Sequence, residues 1–129
     1  MIELVLPFPP SVNHYLTKSV RYKNGKGYVH VAVSRQGINY RGDVLERVFG
    51  NKIKGRVSVY IELHPPRAGK YDLDNFPKVL LDSLTHAKLW SDDECVDKLT
   101  IERGEIDRPN GHCVVKIYPY ASPPKTELA

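Results

Sequence analysis

The sequence has 129 residues and a mass of 14.7 kDa, which is enough for one domain with a single hydrophobic core and too short for two. Hydrophobic residues make up 41% and charged residues 26% of the chain, a balance that excludes wholesale disorder. Residues 1–71 carry 12 Lys and Arg against 4 Asp and Glu, whereas residues 72–129 carry 7 against 11. This division suits phosphate binding by the first part and metal binding by the second, although solvated charge that happens to cluster is an equally ordinary explanation.

Several classes of protein are excluded by what the sequence lacks. No apolar run approaches the ~20 residues of a membrane span, and the amino-terminal residues have no basic region and are broken by proline, unlike a signal peptide. Two cysteines, Cys95 and Cys113, are too few for a disulfide framework or a Cys-based zinc site. No Walker A, GxGxxG or GxSxG motif occurs, and the five histidines show no metal-ligand spacing. We therefore expect a cytoplasmic protein without a nucleotide cofactor or membrane contact.

The first half predicts a strand, a hairpin and a helix. Residues 2–6 suit a short strand that ends at a proline-rich segment, 7–13. Residues 20–33 predict a hairpin around Asn24-Gly25, the strongest short-range hairpin signal. Residues 35–49 predict a helix with Ser34 as N-cap. Its apolar face is expected to contain Ile38, Leu45, Val48 and Phe49.

The second half predicts a strand, a helix and two more strands. Residues 56–64 alternate between apolar and polar as a half-buried strand does. Residues 75–89 have the apolar stripe of a helix, with Asp74 as a candidate N-cap. Residues 95–103 and 112–118 alternate like two strands joined by a turn, and direct pairing would place Cys113 opposite Glu102, far from Cys95, which excludes a disulfide.

Together these elements predict a mixed α/β (α+β) fold in a single domain. We expect one mixed sheet, two main helices and a basic N-terminal hairpin. The domain should span residues 1–119, and residues 120–129 should form a flexible tail.

The hairpin and the segment after the 56–64 strand carry basic residues suited to DNA phosphates. Tyrosines are interleaved with the hairpin's basic residues, and few acids lie nearby. The candidate DNA-binding residues are Lys18, Arg21, Lys23, Lys26, Arg67 and Lys70.

The segment around the second helix carries the candidate chemistry. Asp72 and Asp74 are two residues apart and in extended chain point to the same side, where a divalent cation would relieve their repulsion. Mg²⁺ prefers such oxygen ligands, and Asp92 or Asp93 could supply a third carboxylate if the following strand returns beside the pair. Lys78 lies one helical turn after Asp74, suitably placed to hold a phosphate oxygen or to orient water.

Each of these residues also has a structural explanation. Asp72 or Asp74 could cap the helix, Lys78 could be an i,i+4 ion-pair partner, and Asp92-Asp93 could be a solvated turn. An Asp-x-Asp pair alone is a weak signal. The complete set behind a basic half favours Mg²⁺-dependent phosphodiester hydrolysis.

The same residues resemble a known family. Asp72-Leu73-Asp74-Asn75, Lys78, Leu81-Asp82-Ser83-Leu84 and Trp90-Ser91-Asp92-Asp93, with Pro9-Pro10-Ser11-Val12-Asn13, Val33-Ser34 and Tyr40-Arg41 before them, are similar to the RusA family of Holliday-junction resolvases (crossover junction endodeoxyribonucleases). The resemblance spans residues 1 to about 118. One departure precedes the motif, where the family's prototype is rich in arginine and this chain has Arg67-Ala68-Gly69-Lys70-Tyr71. Junction affinity or cleavage preference is where this departure would be felt.

The resemblance implies a small homodimeric endonuclease of bacteria, phages or prophages that nicks four-way junction DNA symmetrically. It implies Mg²⁺ as cofactor, with Mn²⁺ able to take its place, Asp72, Asp74 and Asp93 as catalytic metal ligands, and Lys78 as the catalytic lysine. It leaves the roles of Asp82 and Asp92 open. Two other functions fit the residues: a non-catalytic structure-specific DNA-binding protein, and a Mg²⁺-dependent nuclease acting on flaps or RNA.

Overall fold

The computed structural model describes residues 1–121. In chain order the elements are β1 (Ile2–Leu6), α1 (Val12–Tyr15), β2 (Leu16–Lys23), β3 (Lys26–Val33), α2 (Arg35–Val48), β4 (Val57–His64), α3 (Pro77–His86), β5 (Val96–Arg103) and β6 (His112–Pro119). Single 3₁₀ turns precede α3, at Leu73–Asn75, and β5, at Asp93–Cys95. Most of the predicted flexible tail lies outside the described residues.

The mixed α+β class is confirmed, with two sheets in place of one. Strands β1, β6, β4 and β5 form the main sheet in that spatial order, and β2 and β3 form a separate two-stranded hairpin. The buried side of β4 is the predicted one, with Val57, Val59, Ile61 and Leu63 in the core. Within residues 1–121, no helix is both long and apolar enough to cross a membrane.

The expected pairing of the last two strands is wrong. β5 runs parallel to β4, β6 runs antiparallel to the other edge of β4, and the two therefore lie on opposite sides of it. The connection between them crosses the end of β4, where the amides of Gly104 and Asp107 donate to the carbonyls of Leu63 and Pro65 at 2.7 and 2.9 Å. Inserting β4 gives this apolar strand neighbours on both edges, which a direct β5–β6 hairpin would deny it. Both cysteines are nevertheless free, as expected.

The expected apolar face of α2 is also wrong. Ser34 caps the helix as predicted, accepting a hydrogen bond from the Gly37 amide at 3.0 Å. The core side contains Gly37, Tyr40, Val44 and Val48, whereas Ile38, Leu45 and Phe49 are exposed. The cause is the close approach at Gly37, where a Cβ atom would lie 2.7 Å from the Tyr15 carbonyl oxygen and 2.6 Å from a methyl group of Val33. A glycine expected to weaken the helix is thus the residue that turns it toward the core.

The start of α3 differs from the prediction as well. The helix begins at Pro77, with Phe76 as its N-cap, so Asp74 does not cap it. Asp74 lies one turn earlier, inside the 3₁₀ turn that connects the β4 side of the fold to α3. Its carboxylate is therefore free of the structural task that local sequence suggested.

Candidate active site

Asp72 and Asp74 lie on the exposed segment between β4 and α3. Leu73, between them, packs against the hydrophobic core, as the alternating pattern predicted. Asp72 immediately precedes the 3₁₀ turn and makes no side-chain capping hydrogen bond. Both carboxylates point to solvent-accessible surface, so the capping explanation for this pair fails.

Lys78 lies in the first turn of α3 and is exposed. Among residues 1–121, no side-chain hydrogen bond or ion pair involves Asp72, Asp74 or Lys78. The i,i+4 ion pair with Asp74 therefore does not form. All three groups remain available to something outside the described chain.

Asp92 and Asp93, at the other end of α3, differ in environment. Asp92 caps the second 3₁₀ turn, accepting a hydrogen bond from the Glu94 amide at 3.1 Å. Asp93 is half-buried, and burial together with the neighbouring Asp92 raises the pKa of Asp93 above its ordinary value, while the charge of Lys78 opposes the rise. Lys78 is thus electrostatically coupled to Asp93.

The topology separates the two acidic segments along the sheet. Because β5 is parallel to β4, Val96 pairs with Val57 at the beginning of β4, whereas Arg103 pairs with Leu63 near its end. Asp93 enters the sheet at the first of these ends, and Asp72 follows the second. Among residues 1–121 no three His, Cys, Asp or Glu side chains form a ready-made metal cage. The joint metal site of Asp72, Asp74 and Asp93 stays a prediction.

Asp82 belongs to a half-buried polar network that the sequence did not reveal. The Tyr15 hydroxyl donates a short hydrogen bond to Asp82 Oδ2, and Arg41 donates from Nε to the Tyr15 hydroxyl at 2.6 Å and from a terminal nitrogen to Asp82 at 2.7 Å. Burial alone would raise the pKa of Asp82, but these hydrogen bonds and the charges of Arg41 and Lys78 lower it below its ordinary value. The network joins α1, α2 and α3 close to Lys78.

The basic residues of the hairpin divide between its two sides. The register pairs Arg21 with Tyr28 and Lys23 with Lys26, which places Arg21, Lys23 and Lys26 on one side because side chains alternate along a strand. These three residues form what is here called the basic face. Lys18 pairs with Val31 on the opposite side and is not part of it.

Arg67 and Lys70 border a cavity of about 330 Å³ next to Asp72. Its inner wall is an aromatic cluster in which the Phe8 ring lies 5.2 Å from Phe76 and 6.5 Å from Tyr71, measured between centroids. Flat apolar surface with two cations at its rim is chemically suited to nucleotides. The structure thus places these two candidates beside the Asp72–Asp74 segment.

Comparison with known proteins agrees with these chemical features. Residues 7–118 match the family model described as endodeoxyribonuclease RusA. A crossover junction endodeoxyribonuclease of Enterobacteria phage HK97 is 35% identical over 119 residues, covering 89% of this chain and 92% of that protein. Relatives with the same name from Escherichia coli O139:H28 and Escherichia coli K12 are 38% and 37% identical, covering 72% and 70% of this chain and 74% and 72% of their own lengths.

Proposed function

Because the chain belongs to the RusA family of endodeoxyribonucleases, we propose that it resolves four-way DNA junctions by paired, symmetric nicks. The observation that carries this proposal is the freedom of Asp72, Asp74 and Lys78, which are exposed and without intramolecular partners among residues 1–121. Asp82 and Asp92, by contrast, are engaged in structural contacts. Unpaired carboxylates beside an unpaired lysine suit a metal ion and a phosphate, the two charged groups that hydrolysis of DNA brings together.

We infer that Mg²⁺ is the cofactor, with Mn²⁺ able to take its place, and that Asp72, Asp74 and Asp93 are its protein ligands. Mg²⁺ commonly takes one or two protein carboxylates and completes its shell with water and substrate phosphate, so a complete cage before DNA binds is not required. When bound, the ion would activate water and neutralise charge on the phosphate. Lys78 would hold a non-bridging phosphate oxygen with its ammonium group.

We infer that the active form is a homodimer. Resolution of a two-fold symmetric junction needs two opposed nicks, and one chain offers one candidate site. A C₂ dimer would place two identical sites symmetrically and double the basic surface. The named relatives come from a phage and from Escherichia coli, which supports action in the bacterial cytoplasm by a host-, phage- or prophage-encoded protein.

The test of the catalytic assignment is Asp74→Asn. We expect junction nicking to fall by at least about a hundredfold, with junction binding retained, because the change removes a metal ligand and a negative charge facing phosphate. The matched control is Asp43→Asn, an equally isosteric change at an exposed position of α2, which should nick at the wild-type rate. Full activity of Asp74→Asn would contradict the assignment.

Substrate preference separates the junction resolvase from the two alternatives. The wild-type protein should nick a mobile four-way junction in the presence of Mg²⁺ and leave linear duplex, flap and RNA substrates largely intact. Binding without nicking at any Mg²⁺ or Mn²⁺ concentration would establish the non-catalytic alternative. Preferential cleavage of the flap or the RNA would establish the other.

Salt dependence tests the DNA-binding residues. Replacing Arg21, Lys23 and Lys26 with Gln should weaken junction binding and reduce the log–log salt slope by roughly one unit for each duplex phosphate that the variant no longer neutralises. Arg67→Gln and Lys70→Gln should each act in the same direction. An unchanged slope would show that the replaced residues do not meet DNA.

A further inference from the structure

The β2–β3 hairpin is a ribbon with two chemically different sides. One side contains the basic face with small polar neighbours such as Ser19. The opposite side, here called the apolar face, consists of Leu16, Lys18, Val20, Tyr22, Gly27, Val29, Val31 and Val33. The Tyr22 ring lies across Gly27, where an added Cβ atom would be 3.2 Å from a ring carbon.

Most of the apolar face is uncovered in a single chain. Leu16 and Val33, at the base of the hairpin, pack against the hydrophobic core. Beyond them Val20, Tyr22 and Val29 are 62%, 76% and 64% exposed, and Val31, which lies nearer the base, is 50% exposed. Scattered apolar residues on a surface need no explanation, but a contiguous group of this kind marks an interaction site.

The hairpin also lacks other support. A two-stranded ribbon is at best marginally stable alone in water and needs a further packing surface along one side. Its eight-residue strands extend about 26 Å at ~3.3 Å per residue, and only the residues at the base of the apolar face touch the core. The remainder of this face needs a partner to be ordered.

We propose that a second copy of this chain covers the apolar face. The chemistry argues against DNA as the cover, because Lys18 is the single charged residue on that side while the basic face lies on the other. An apolar surface calls for an apolar protein surface, and the two-fold requirement of paired nicking, on which this inference rests, supplies the same protein as the partner. The hairpin then buries one side in the dimer and keeps the other side for phosphates.

Adjacent residues of β2 provide a matched test. Val20→Lys places a charge on the apolar face, and Ser19→Lys places the same charge one residue away on the other side, where the side chain is also exposed. In sedimentation equilibrium the wild-type protein and Ser19→Lys should have about twice the mass of a 14.7 kDa chain. Val20→Lys should shift toward monomer, with a dimer dissociation constant raised at least tenfold, and circular dichroism should show that it remains folded.

Thiol labelling keeps the proposal testable if Val20→Lys does not fold. In a Cys95→Ser background, where Cys113 is buried, Val29→Cys should be protected from maleimide in the dimer and become reactive on dilution to monomer. Ser19→Cys in the same background should react equally in both states. Equal protection of the two thiols would overturn the proposal.

Three further results would overturn it. The first is a wild-type protein that stays monomeric at all concentrations. The second is a dimer that Val20→Lys leaves intact while Phe49→Lys, on the exposed side of α2, dissociates it. The third is unchanged self-association with a loss of junction binding in Val20→Lys, which would assign the apolar face to DNA.

Failure of this inference and failure of the proposed function give different results. Metal-dependent junction nicking by the wild-type protein, with a dimer insensitive to Val20→Lys, would reject the hairpin interface alone. A dimer that dissociates in Val20→Lys, in a protein that nicks no DNA, would reject the nuclease and leave the interface standing.

Discussion

Replacing Arg41 tests the network that connects the three helices near Lys78. Arg41 and Asp82 have side-chain exposures of 22% and 30%, so their 2.7 Å ion pair is neither a surface pair nor a fully buried one. Breaking an exposed pair costs about 0–1 kcal/mol, whereas removing one partner of a buried pair costs about 3–5 kcal/mol. We expect Arg41→Ala to lower the free energy of unfolding by about 2 kcal/mol, since Tyr15 also loses its hydrogen-bond donor. At about 4 °C per kcal/mol, the melting temperature should fall by about 8 °C.

The assay is urea unfolding of a double-mutant cycle with Asp82→Asn. Because the two groups contact each other, the double mutant should be less destabilised than the sum of the single mutants, with a coupling energy of about 1 kcal/mol or more. Arg41→Lys keeps the charge but cannot donate in two fixed directions, so it should lose about half as much. Strict additivity, or a loss below about 0.5 kcal/mol in Arg41→Ala, would refute the account of the network.

Burial and protonation lead to three more expected outcomes. Because the pKa of Asp82 is lowered in the folded protein, its stabilisation is present above ~4 and lost as pH falls through the folded pKa, so wild type and Asp82→Asn should converge in stability in acid; a constant difference would be inconsistent with this. On α2, Val44→Ala should lower the free energy of unfolding by about 2 kcal/mol, whereas Phe49→Ala should stay within ~0.5 kcal/mol, since Val44 is buried and Phe49 is 81% exposed; urea unfolding measures both. Burial raises the pKa of Cys113 to about 12, so at about pH 8 Ellman's reagent should label Cys95 alone in the folded protein, and Cys95→Ser should abolish that labelling.

Local patterns predicted those parts of the fold that local physics determines. The alternation along β4, the Asn24-Gly25 turn and the Ser34 cap each depend on neighbouring residues, and each is confirmed. In the turn, Asn24 and Gly25 both have positive φ, at 53° and 76°, as the tight hairpin requires. Elements whose environment is set within a few residues are therefore readable from the sequence.

The errors arise where distant residues decide. The orientation of α2 depends on Gly37 meeting Tyr15, a contact that no helical periodicity contains. Likewise the partner of β5 is set by competition for the edges of β4. The candidate site shows the same division: the motif residues Asp72 and Asp74 were found from spacing, while the role of Asp82 depends on Tyr15 and Arg41, on two other helices.

The pairing of the first strand with the last affects how the chain folds during synthesis. β1 has β6 as its only neighbour in the sheet, with Ile2 opposite Ile117. At a synthesis rate of about 5–20 residues per second, β1 waits on the order of ten seconds for β6 to emerge. An unpaired apolar strand is then an aggregation hazard, and its five-residue length and the prolines that follow at positions 7, 9 and 10 limit how far a wrong partner can extend along it. Shortening the chain by its last strand would make that hazard permanent, leaving both β1 and one edge of β4 open.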